Sequence, residues 1–591
     1  MTRREILKYG SIATGAVLVS TKGRLPRAFA SGGGAPQGLP LTPFVDPLPR
    51  PPTAIATLTQ FADLSAAAKV YVDPSGRNLG QARFYSVIAE ERTVKFHRDL
   101  PPTSIWGYRD QNGPAVTPFA LGPTFQERIS ASQTSGAIVR VTNGLNPNVP
   151  SFGSPHLSTH LHGGHQPFFS DGFPTDIASP VFNPVIDPGK FYDYAYPLLD
   201  PGFISDVADA SDRPATQWYH DHVIDFTGAN VYRGLVGLFQ VFDPVVNGVA
   251  GGPDIGDENN PTGLRLPSGE FDIPLVVQDK VFAPDGSLVF DPFNHDGFLG
   301  NQFLMNGKVQ PFAEVSRRRY RLRFLNGSGA RIYSLFLTNA KGQPQPMSII
   351  ATEGGLLSHA QQPVTSFMMA PAERYEVIVD FSKLDGNEFF IENRLSQDEG
   401  RGPNGSFENP DILPVGTQIM KFIVGPAVPD PSFDIQPGDA LRPFAAITAA
   451  QIAAVKTFRE FVFERSHGAW VINGTLAGNL SSPMAAPTLN QPEIWTLKNS
   501  SGGWWHPIHI HSEFQRVLSR NGVSPSPVVF ERDGIARKDT TLLGPNSEVK
   551  VYLRFRDYAG PFVFHCHNIA HEDMAMMARF DIMPLAGTPS L

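Results

Sequence analysis

Four short stretches of the sequence combine histidines at alternating positions with one cysteine and one methionine. They read His160-Leu161-His162, His220-Asp221-His222, His506-Pro507-Ile508-His509-Ile510-His511 and His565-Cys566-His567-Asn568-Ile569-Ala570-His571, with Met576 following the last. Imidazole is a good ligand for both copper and zinc, whereas a lone thiolate combined with a thioether favours copper. The residue types therefore predict copper binding.

Alternation along a strand divides these side chains into two groups. Residues two apart on a strand point to the same face, and residues an odd number apart point to opposite faces. Eight imidazoles therefore share one side, namely His160, His162, His220, His222, His509, His511, His565 and His567. Cys566 and His506 face the other way, and His571 and Met576 can loop back to join them.

Each group has its own chemistry. Two imidazoles, one thiolate and one weak axial thioether form the ligand set of a blue-copper electron-transfer centre. Eight imidazoles exceed the needs of one metal and suit three, with positions left open for oxygen. Cys566 is bonded through the backbone to His565 and His567, so a covalent route joins the two groups. The pattern predicts a redox protein that moves single electrons from one group to the other.

The elements that must position these ligands are mostly strands. The chain has 591 residues, which predicts two to four domains, and its 55 Gly, 55 Pro and 43 Phe favour short strands joined by loops. Segments 136–141, 234–241 and 271–277 are typical strands. Stretches 246–269 and 425–456 are typical linkers, the second with a short helix predicted near 445–450, and they leave three segments of sandwich size.

The histidines are concentrated near the two ends of the chain. Six of the 16 lie between His156 and His222, and six more lie between His506 and His571. We expect the chemistry where the first and last segments meet, with the middle segment holding them in place. His156 and His165 match no ligand position and are expected to pack beside the ligands, and His97, His295, His359 and His467 are expected to be structural.

The remaining composition restricts the compartment and the partners. A formal net charge of -8 gives no electrostatic footprint for nucleic acid. The N-terminus carries Arg3-Arg4, a weakly apolar stretch at 9–20 and Ala28-Phe29-Ala30, in the order of a twin-arginine export signal. We expect a signal peptide over 1–30, a mature protein starting near Ser31 in the periplasm or secreted, and no membrane anchor, since the apolar run is too short.

Taken together, the four stretches resemble the signatures of the three-domain multicopper oxidases, H-x-H, H-x-H, H-x-x-H-x-H and H-C-H-x3-H-x4-M. The resemblance covers essentially the whole mature chain. It implies an all-β protein with three consecutive cupredoxin-like Greek-key β-sandwich domains, at 41–245, 265–425 and 457–591. It also implies four copper ions: one type 1 copper in the third domain, and one type 2 and two type 3 coppers between the first and third domains.

The resemblance assigns each ligand by position. The type 1 ligands would be His506, Cys566, His571 and Met576. The type 2 ligands would be His160 and His509, and the type 3 ligands would be His162, His220, His222, His511, His565 and His567.

Three further residues resemble the branch of spore-coat laccases and bilirubin oxidases. Glu572 follows the type 1 histidine, where an acid of that branch supplies protons to reduced oxygen, and Asp171 in Ser170-Asp171-Gly172 matches a second acid. Trp504, two residues before His506, matches a tryptophan beside the substrate surface. We expect a reductant to dock beside the edge of His506.

The expected activity is four one-electron oxidations coupled to the reduction of dioxygen to two waters, by a monomer. A methionine axial ligand stabilises oxidised copper and lowers the potential, which favours phenols, aminophenols or tetrapyrroles such as bilirubin as reductants. A metallo-oxidase for Mn(II), Cu(I) or Fe(II) remains an alternative, although a Met-rich insert of the cuprous type is absent. A non-catalytic copper-binding protein or scaffold is the alternative from another class, and a two-domain nitrite reductase is disfavoured by the His-Cys-His motif.

Overall fold

The computed structural model describes residues 38–72, 82–113, 119–129, 136–149, 151–176, 184–203, 208–244, 253–476, 480–524 and 533–585. The expected signal peptide at 1–30 lies outside these residues. Within them, strands dominate and form three β-sandwiches in succession, which confirms the all-β prediction.

The first sandwich packs two four-stranded sheets, ordered β2-β1-β4-β6 and β3-β8-β7-β5. Its strands are β1 (Arg83–Val94), β2 (Thr103–Asp110), β3 (Phe125–Arg128), β4 (Gly136–Asn143), β5 (Thr159–His162), β6 (Phe191–Pro197), β7 (Thr216–Asp221) and β8 (Val236–Phe242). Tyr85, Ile138, Tyr194 and Phe239 lie in the core between the sheets. Strand β5 carries His160 and His162, β7 carries His220 with His222 directly after it, and both short strands are buried throughout.

The second sandwich is the largest and contains none of the predicted ligands. One sheet runs β12-β11-β9-β14-β20-β17-β18, with β10 on β9, and the other runs β13-β22-β21-β15-β16, with β19 on β15. The strands are β9 (Asp272–Phe282), β10 (Leu288–Val289), β11 (Gln302–Met305), β12 (Lys308–Val309), β13 (Phe312–Val315), β14 (Arg319–Asn326), β15 (Tyr333–Asn339), β16 (Pro344–Gln345), β17 (Ser348–Thr352), β18 (Gly355–Leu356), β19 (Ser366–Met369), β20 (Arg374–Asp380), β21 (Glu388–Leu395) and β22 (Ile412–Val424).

The third sandwich pairs a sheet ordered β24-β23-β25-β29-β27 with one ordered β28-β26-β30-β31. Its strands are β23 (Thr457–Ser466), β24 (Ala469–Ile472), β25 (Glu493–Asn499), β26 (His506–Ile510), β27 (Arg516–Arg520), β28 (Thr540–Leu543), β29 (Glu548–Leu553), β30 (Gly560–Cys566) and β31 (Met577–Ile582). Trp495, Phe564 and Phe580 fill its core. The ligand-bearing strands β26 and β30 lie side by side in the smaller sheet.

Helices are few and short. The described residues contain α1 (Ala66–Val72), α2 (Thr227–Arg233), α3 (Ala449–Ala454) and α4 (Ile569–Met574), and single 3₁₀ turns at Phe168–Ser170, Ala210–Asp212, Gly269–Phe271 and Phe381–Lys383. Helix α3 begins a few residues later than the alanine pattern predicts, because Thr448 caps it with a reciprocal Thr448–Gln451 capping box. Across the described part of the chain, no helix has the length and apolarity needed to cross a membrane.

Candidate metal centres

In the first sandwich, four histidines converge from two neighbouring strands. The antiparallel pairing of β5 with β7 sets His160 opposite His220 and His162 opposite Trp218. His222 follows β7, and its backbone N–H donates to the carbonyl of Ser158, which keeps it in line with the strand. All four imidazoles are buried.

In the third sandwich, the β26–β30 ladder separates the two groups as the alternation predicts. His509 pairs with His565 on one face, and Ile508 pairs with Cys566 on the other. Cys566 and Ile508 both lie in the hydrophobic core of that sandwich. The thiol therefore points away from the imidazoles of its two sequence neighbours, His565 and His567.

The structure brings the eight paired imidazoles together at the junction of the first and third sandwiches. Nε2 of His160 lies 3.4 Å from Nε2 of His509. Nε2 of His565 lies 3.2 Å from Nε2 of both His222 and His511. The remaining three rings also meet, since the ring centroid of His567 is 5.1 Å from that of His162 and 5.5 Å from that of His220.

This imidazole cluster fits metal ions better than a hydrogen-bonded network. Burial, reinforced by neighbouring imidazoles, lowers the pKa of His162, His220, His509 and His511 well below the usual value, so these rings are neutral and keep a lone pair. Buried ring nitrogens of His162, His220 and His567 have no hydrogen-bond partner among the described residues. A buried polar atom without a partner is costly, and a bound cation would satisfy these nitrogens.

The outward-facing nitrogens of several of these imidazoles are held by acceptors. Asp171 accepts from Nδ1 of His511 at 2.7 Å through its carboxylate and from Nδ1 of His160 at 2.6 Å through its carbonyl. The carbonyl of Asp539 accepts from Nδ1 of His509 at 2.8 Å. Such acceptors fix the tautomer and ring orientation of a metal-binding histidine. The predicted acid Asp171 thus lies directly behind two predicted ligands.

The other predicted acid, Glu572, lies on α4 and faces two further imidazoles of the cluster. Its Oε2 is 2.9 Å from Nδ1 of His565, and its Oε1 is 3.7 Å from Nδ1 of His222. Burial opposes the negative charge, but the adjacent imidazoles outweigh it and lower the pKa of Glu572 to about 2. Helix α4 is tied to α2 because the carboxylate of Asp573 accepts from the N–H of Gly228 at 3.1 Å.

The second group forms a compact triangle within the third sandwich. Sγ of Cys566 lies 3.5 Å from Nδ1 of both His506 and His571, and these two nitrogens are 3.1 Å apart. A circle through three such atoms has a radius of about 2 Å, close to metal–nitrogen and metal–sulfur bond lengths of roughly 2.0–2.3 Å. Burial raises the pKa of the Cys566 thiol well above its usual value, so a cation is needed to replace its proton.

Met576 is close to this triangle through its backbone. Its carbonyl accepts from the N–H of Cys566 at 3.1 Å, and its own N–H donates to the carbonyl of His571 at 2.9 Å. Its side chain is fully buried in the same hydrophobic core as Cys566. The predicted axial residue therefore lies beside the three other predicted ligands.

The access of a reductant to this group differs from our expectation. His506 is fully buried, and its Nε2 lies 2.7 Å from the hydroxyl of Ser501, so a docked molecule cannot contact the edge of this imidazole. Trp470 packs on His571 at 4.2 Å between ring centroids and on the partly exposed Trp504 at 5.2 Å. Trp504 in turn lies under the guanidinium of Arg401 at 4.5 Å. Trp470 and Trp504 therefore form an aromatic path from His571 towards the surface.

A separate small cavity adjoins the imidazole cluster. It has a volume of about 40 Å³ and is lined in part by His160, His509, His511 and His165. This volume exceeds the roughly 10–15 Å³ that a cavity needs to hold a water molecule. A cavity of this volume accommodates small molecules such as water or dioxygen but not an aromatic molecule.

Sequence reasoning missed the residues that reach the site from distant parts of the chain. Asp539, Trp470 and Ser501 contact predicted ligands but belong to no recognisable motif. Glycine at 163, directly after His162, was the one available signal, because glycine is the residue that tolerates close approach by other groups. Asp539 and Arg374 lie against this glycine.

Together, the fold and the two donor groups define a β-sandwich metalloprotein whose ligands suit copper redox chemistry. Residues 448–585 and 290–410 match two family models, both described as multicopper oxidase. A bilirubin oxidase of Albifimbria verrucaria is 31% identical, over 91% of this chain and 81% of that one. A laccase of Bacillus subtilis is 30% identical, over 84% of this chain and 94% of that one.

Solved structures agree at the level of the fold. A multi-copper oxidase from Pediococcus acidilactici superimposes with a TM-score of 0.69 at 23% identity, covering 95% of this chain and 96% of that one. A multicopper oxidase from Campylobacter jejuni, described as a metallo-oxidase, gives a TM-score of 0.63 at 19% identity, covering 93% and 99%. The chain belongs to the multicopper oxidase family and is an oxidoreductase.

Proposed function

We propose that this protein couples four one-electron oxidations of a phenolic, aminophenolic or bilirubin-like reductant to the reduction of dioxygen to two waters. The observation that carries the proposal is the position of Cys566. Its sulfur belongs to the three-atom triangle, whereas the imidazoles of its two sequence neighbours belong to the eight-imidazole cluster. A metal-binding site of purely structural type would not need two groups joined through one residue.

The proposed ligands follow the two groups. His506, Cys566, His571 and Met576 would hold a type 1 copper, His160 and His509 a type 2 copper, and His162, His220, His222, His511, His565 and His567 a type 3 pair. The distances support this division, because His160 meets His509 and because His222, His511 and His565 converge. When bound, copper would supply the single-electron chemistry and the site for dioxygen.

Residues of the protein would transfer the protons and would control the approach of the reductant and of dioxygen. Glu572 and Asp171 place carboxylates against different imidazoles of the cluster, where they can pass protons to the oxygen atoms being reduced. Trp504 presents the partly exposed aromatic face to the reductant. The cavity beside His160, with a volume of about 40 Å³, suits the entry of dioxygen and the exit of water better than the binding of a larger reductant.

The test is oxygen consumption by purified, copper-loaded protein with bilirubin, dimethoxyphenol or Mn(II) as the reductant. We expect turnover of at least one organic reductant, with four electrons removed per dioxygen and no accumulation of hydrogen peroxide. Turnover of Mn(II) alone would overturn the proposed substrate class in favour of a metallo-oxidase. Copper binding without oxygen consumption would favour a storage protein instead.

We also propose that the protein is exported folded and loaded with copper, since Arg3 and Arg4 precede an apolar stretch and a small-residue cleavage site. Changing both residues to lysine should retain the protein in the cytoplasm with its N-terminus uncleaved. Export at the unchanged rate would contradict this localisation.

A further inference from the structure

Arg374, at the start of β20 in the second sandwich, is a fully buried arginine with an acceptor for every N–H. Its Nε donates to the carbonyl of Thr216 at 3.0 Å. Its Nη1 donates to the carbonyl of Ala372 and to Oδ1 of Asp539, both at 3.0 Å. Its Nη2 donates to the carbonyl of Glu353 at 3.2 Å and to Oδ2 of Asp539 at 2.6 Å.

These acceptors come from all three sandwiches. Thr216 begins β7 of the first, Ala372 and Glu353 belong to the second, and Asp539 precedes β28 of the third. A planar guanidinium with a forked set of donors suits such a junction, because it binds a carboxylate through two parallel hydrogen bonds. Arg374 therefore fixes where the three sandwiches meet.

Asp539, which Arg374 holds in place, contacts two predicted ligands. Its Oδ1 lies 3.1 Å from Nε2 of His162, and its carbonyl accepts from Nδ1 of His509 at 2.8 Å. The hydroxyl of Thr540 donates to the same Oδ1 at 3.0 Å. The nitrogens that remain for metal binding are Nδ1 of His162, which has no hydrogen-bond partner among the described residues, and Nε2 of His509, which faces His160.

The backbone packs closely against the ion pair of Arg374 and Asp539. Gly163 follows His162 with a φ of +81°, and a Cβ on it would lie 2.5 Å from Nη2 of Arg374 and 2.8 Å from Oδ2 of Asp539. The backbone of the first sandwich thus passes directly against the pair. A shift of Arg374 would move the aspartate, the glycine and both histidines together.

We propose that Arg374 is a positioning residue for the imidazole cluster: through Asp539 it sets the tautomer and orientation of His162 and His509. This inference rests on the proposed copper chemistry. It gives the second sandwich, which contains none of the predicted ligands, a direct part in shaping the site. Without the guanidinium, the buried carboxylate of Asp539 would lose its counter-charge and its two parallel hydrogen bonds, so it would rotate and no longer hold the rings.

The test compares Arg374→Lys with the unchanged protein by electron paramagnetic resonance and by competition of copper with a chelator. Lysine keeps the charge but cannot donate the two parallel bonds. We expect an altered type 2 copper signal and a loss of affinity at the imidazole cluster of about 10- to 100-fold, typical when a partner of a metal-binding histidine is removed. The blue type 1 absorption should stay unchanged, because Cys566, His506 and His571 make no contact with this pair.

Arg318→Lys is the matched control. Arg318 is also buried in the second sandwich and also binds two carboxylates, those of Glu258 at 2.7 Å and Asp430 at 3.0 Å, but neither touches a predicted ligand. This variant should lower the melting temperature while leaving the type 2 signal and the copper affinity as they were. If Arg374→Lys behaves like this control, the positioning role is refuted.

The two proposals fail in different ways. An unchanged protein that shows no type 2 signal at all would refute the proposed function, whereas a normal signal that survives in Arg374→Lys would refute only the role of Arg374. Should Arg374→Lys not fold, Asp539→Asn breaks the same link while keeping the side-chain shape. The same selective change is expected there, and an unaltered type 2 signal would again count against the inference.

Discussion

Cys566 occupies the position in which the smallest change should have the clearest effect. Replacing its sulfur with the oxygen of serine removes the thiolate from the triangle and leaves the backbone and the flanking imidazoles in place. We expect Cys566→Ser to lose the blue absorption and all oxidase activity while it retains the type 2 copper signal. Absorption and resonance spectra of the copper-loaded variant provide the measurement, and a blue variant would contradict the assignment.

Glu572 makes a different prediction, because it touches the imidazoles but binds no metal in our scheme. Glu572→Gln keeps the size of the side chain and removes its ability to exchange a proton. Since positioned acids and bases contribute about 10²–10⁴-fold to rates, kcat for oxygen reduction should fall by at least about 10²-fold with the blue absorption intact. Asp573→Asn, which alters the adjacent acid that binds the N–H of Gly228, should affect stability more than kcat.

At the scale of the element, the turn after β5 depends on glycine at 163. Gly163→Ala combines the cost of a left-handed backbone, about 1–2 kcal/mol, with an overpacking cost of about 1–3 kcal/mol against Arg374 and Asp539. Gly189→Ala is the matched control, because Gly189 has a similar φ of +78° but open space around its Cα. Urea unfolding should show a clearly larger loss for Gly163→Ala, and equal losses would contradict the close packing.

The strands also show how far the sequence alone could lead. Alternation correctly predicted that Cys566 faces away from His565, because side-chain direction on a strand is a local property. It could not reveal Asp539 beside His162 or Trp470 beside His571, since these contacts join residues far apart in the chain. It also could not show that Ser501 and the surrounding core bury His506, because burial depends on loops whose course leaves no periodic pattern.

At the scale of the molecule, a group of ion pairs also links the first and third sandwiches. Asp212 accepts from Arg537 at 2.7 Å and also from Arg556, which binds Glu513 at 2.7 Å. Burial opposes the charge of Asp212, but the two arginines outweigh it and hold its pKa below the usual 3.8. The ionised Asp212 carboxylate therefore stabilises the folded protein at pH values above its usual pKa. This contribution is lost as the pH falls through the lowered pKa.

Asp212→Asn should therefore be less stable than the unchanged protein at neutral pH. The difference in the free energy of unfolding should persist down to about pH 4 and shrink below it, because acid then protonates the carboxylate in the unchanged protein. Denaturant unfolding at a series of pH values tests this. The exposed partner of Arg140, Asp63, provides the control, since Asp63→Asn should change stability little at any pH.

The division of the eight imidazoles has a consequence for assembly. Four come from the first sandwich and four from the third. Any cation that they share would therefore cross-link these two sandwiches. A ligand that binds only the joined form stabilises the joint in proportion to the logarithm of its concentration. Removal of copper should then split one cooperative melting transition into two. The first and third sandwiches would separate in the first transition, and the individual sandwiches would unfold in the second.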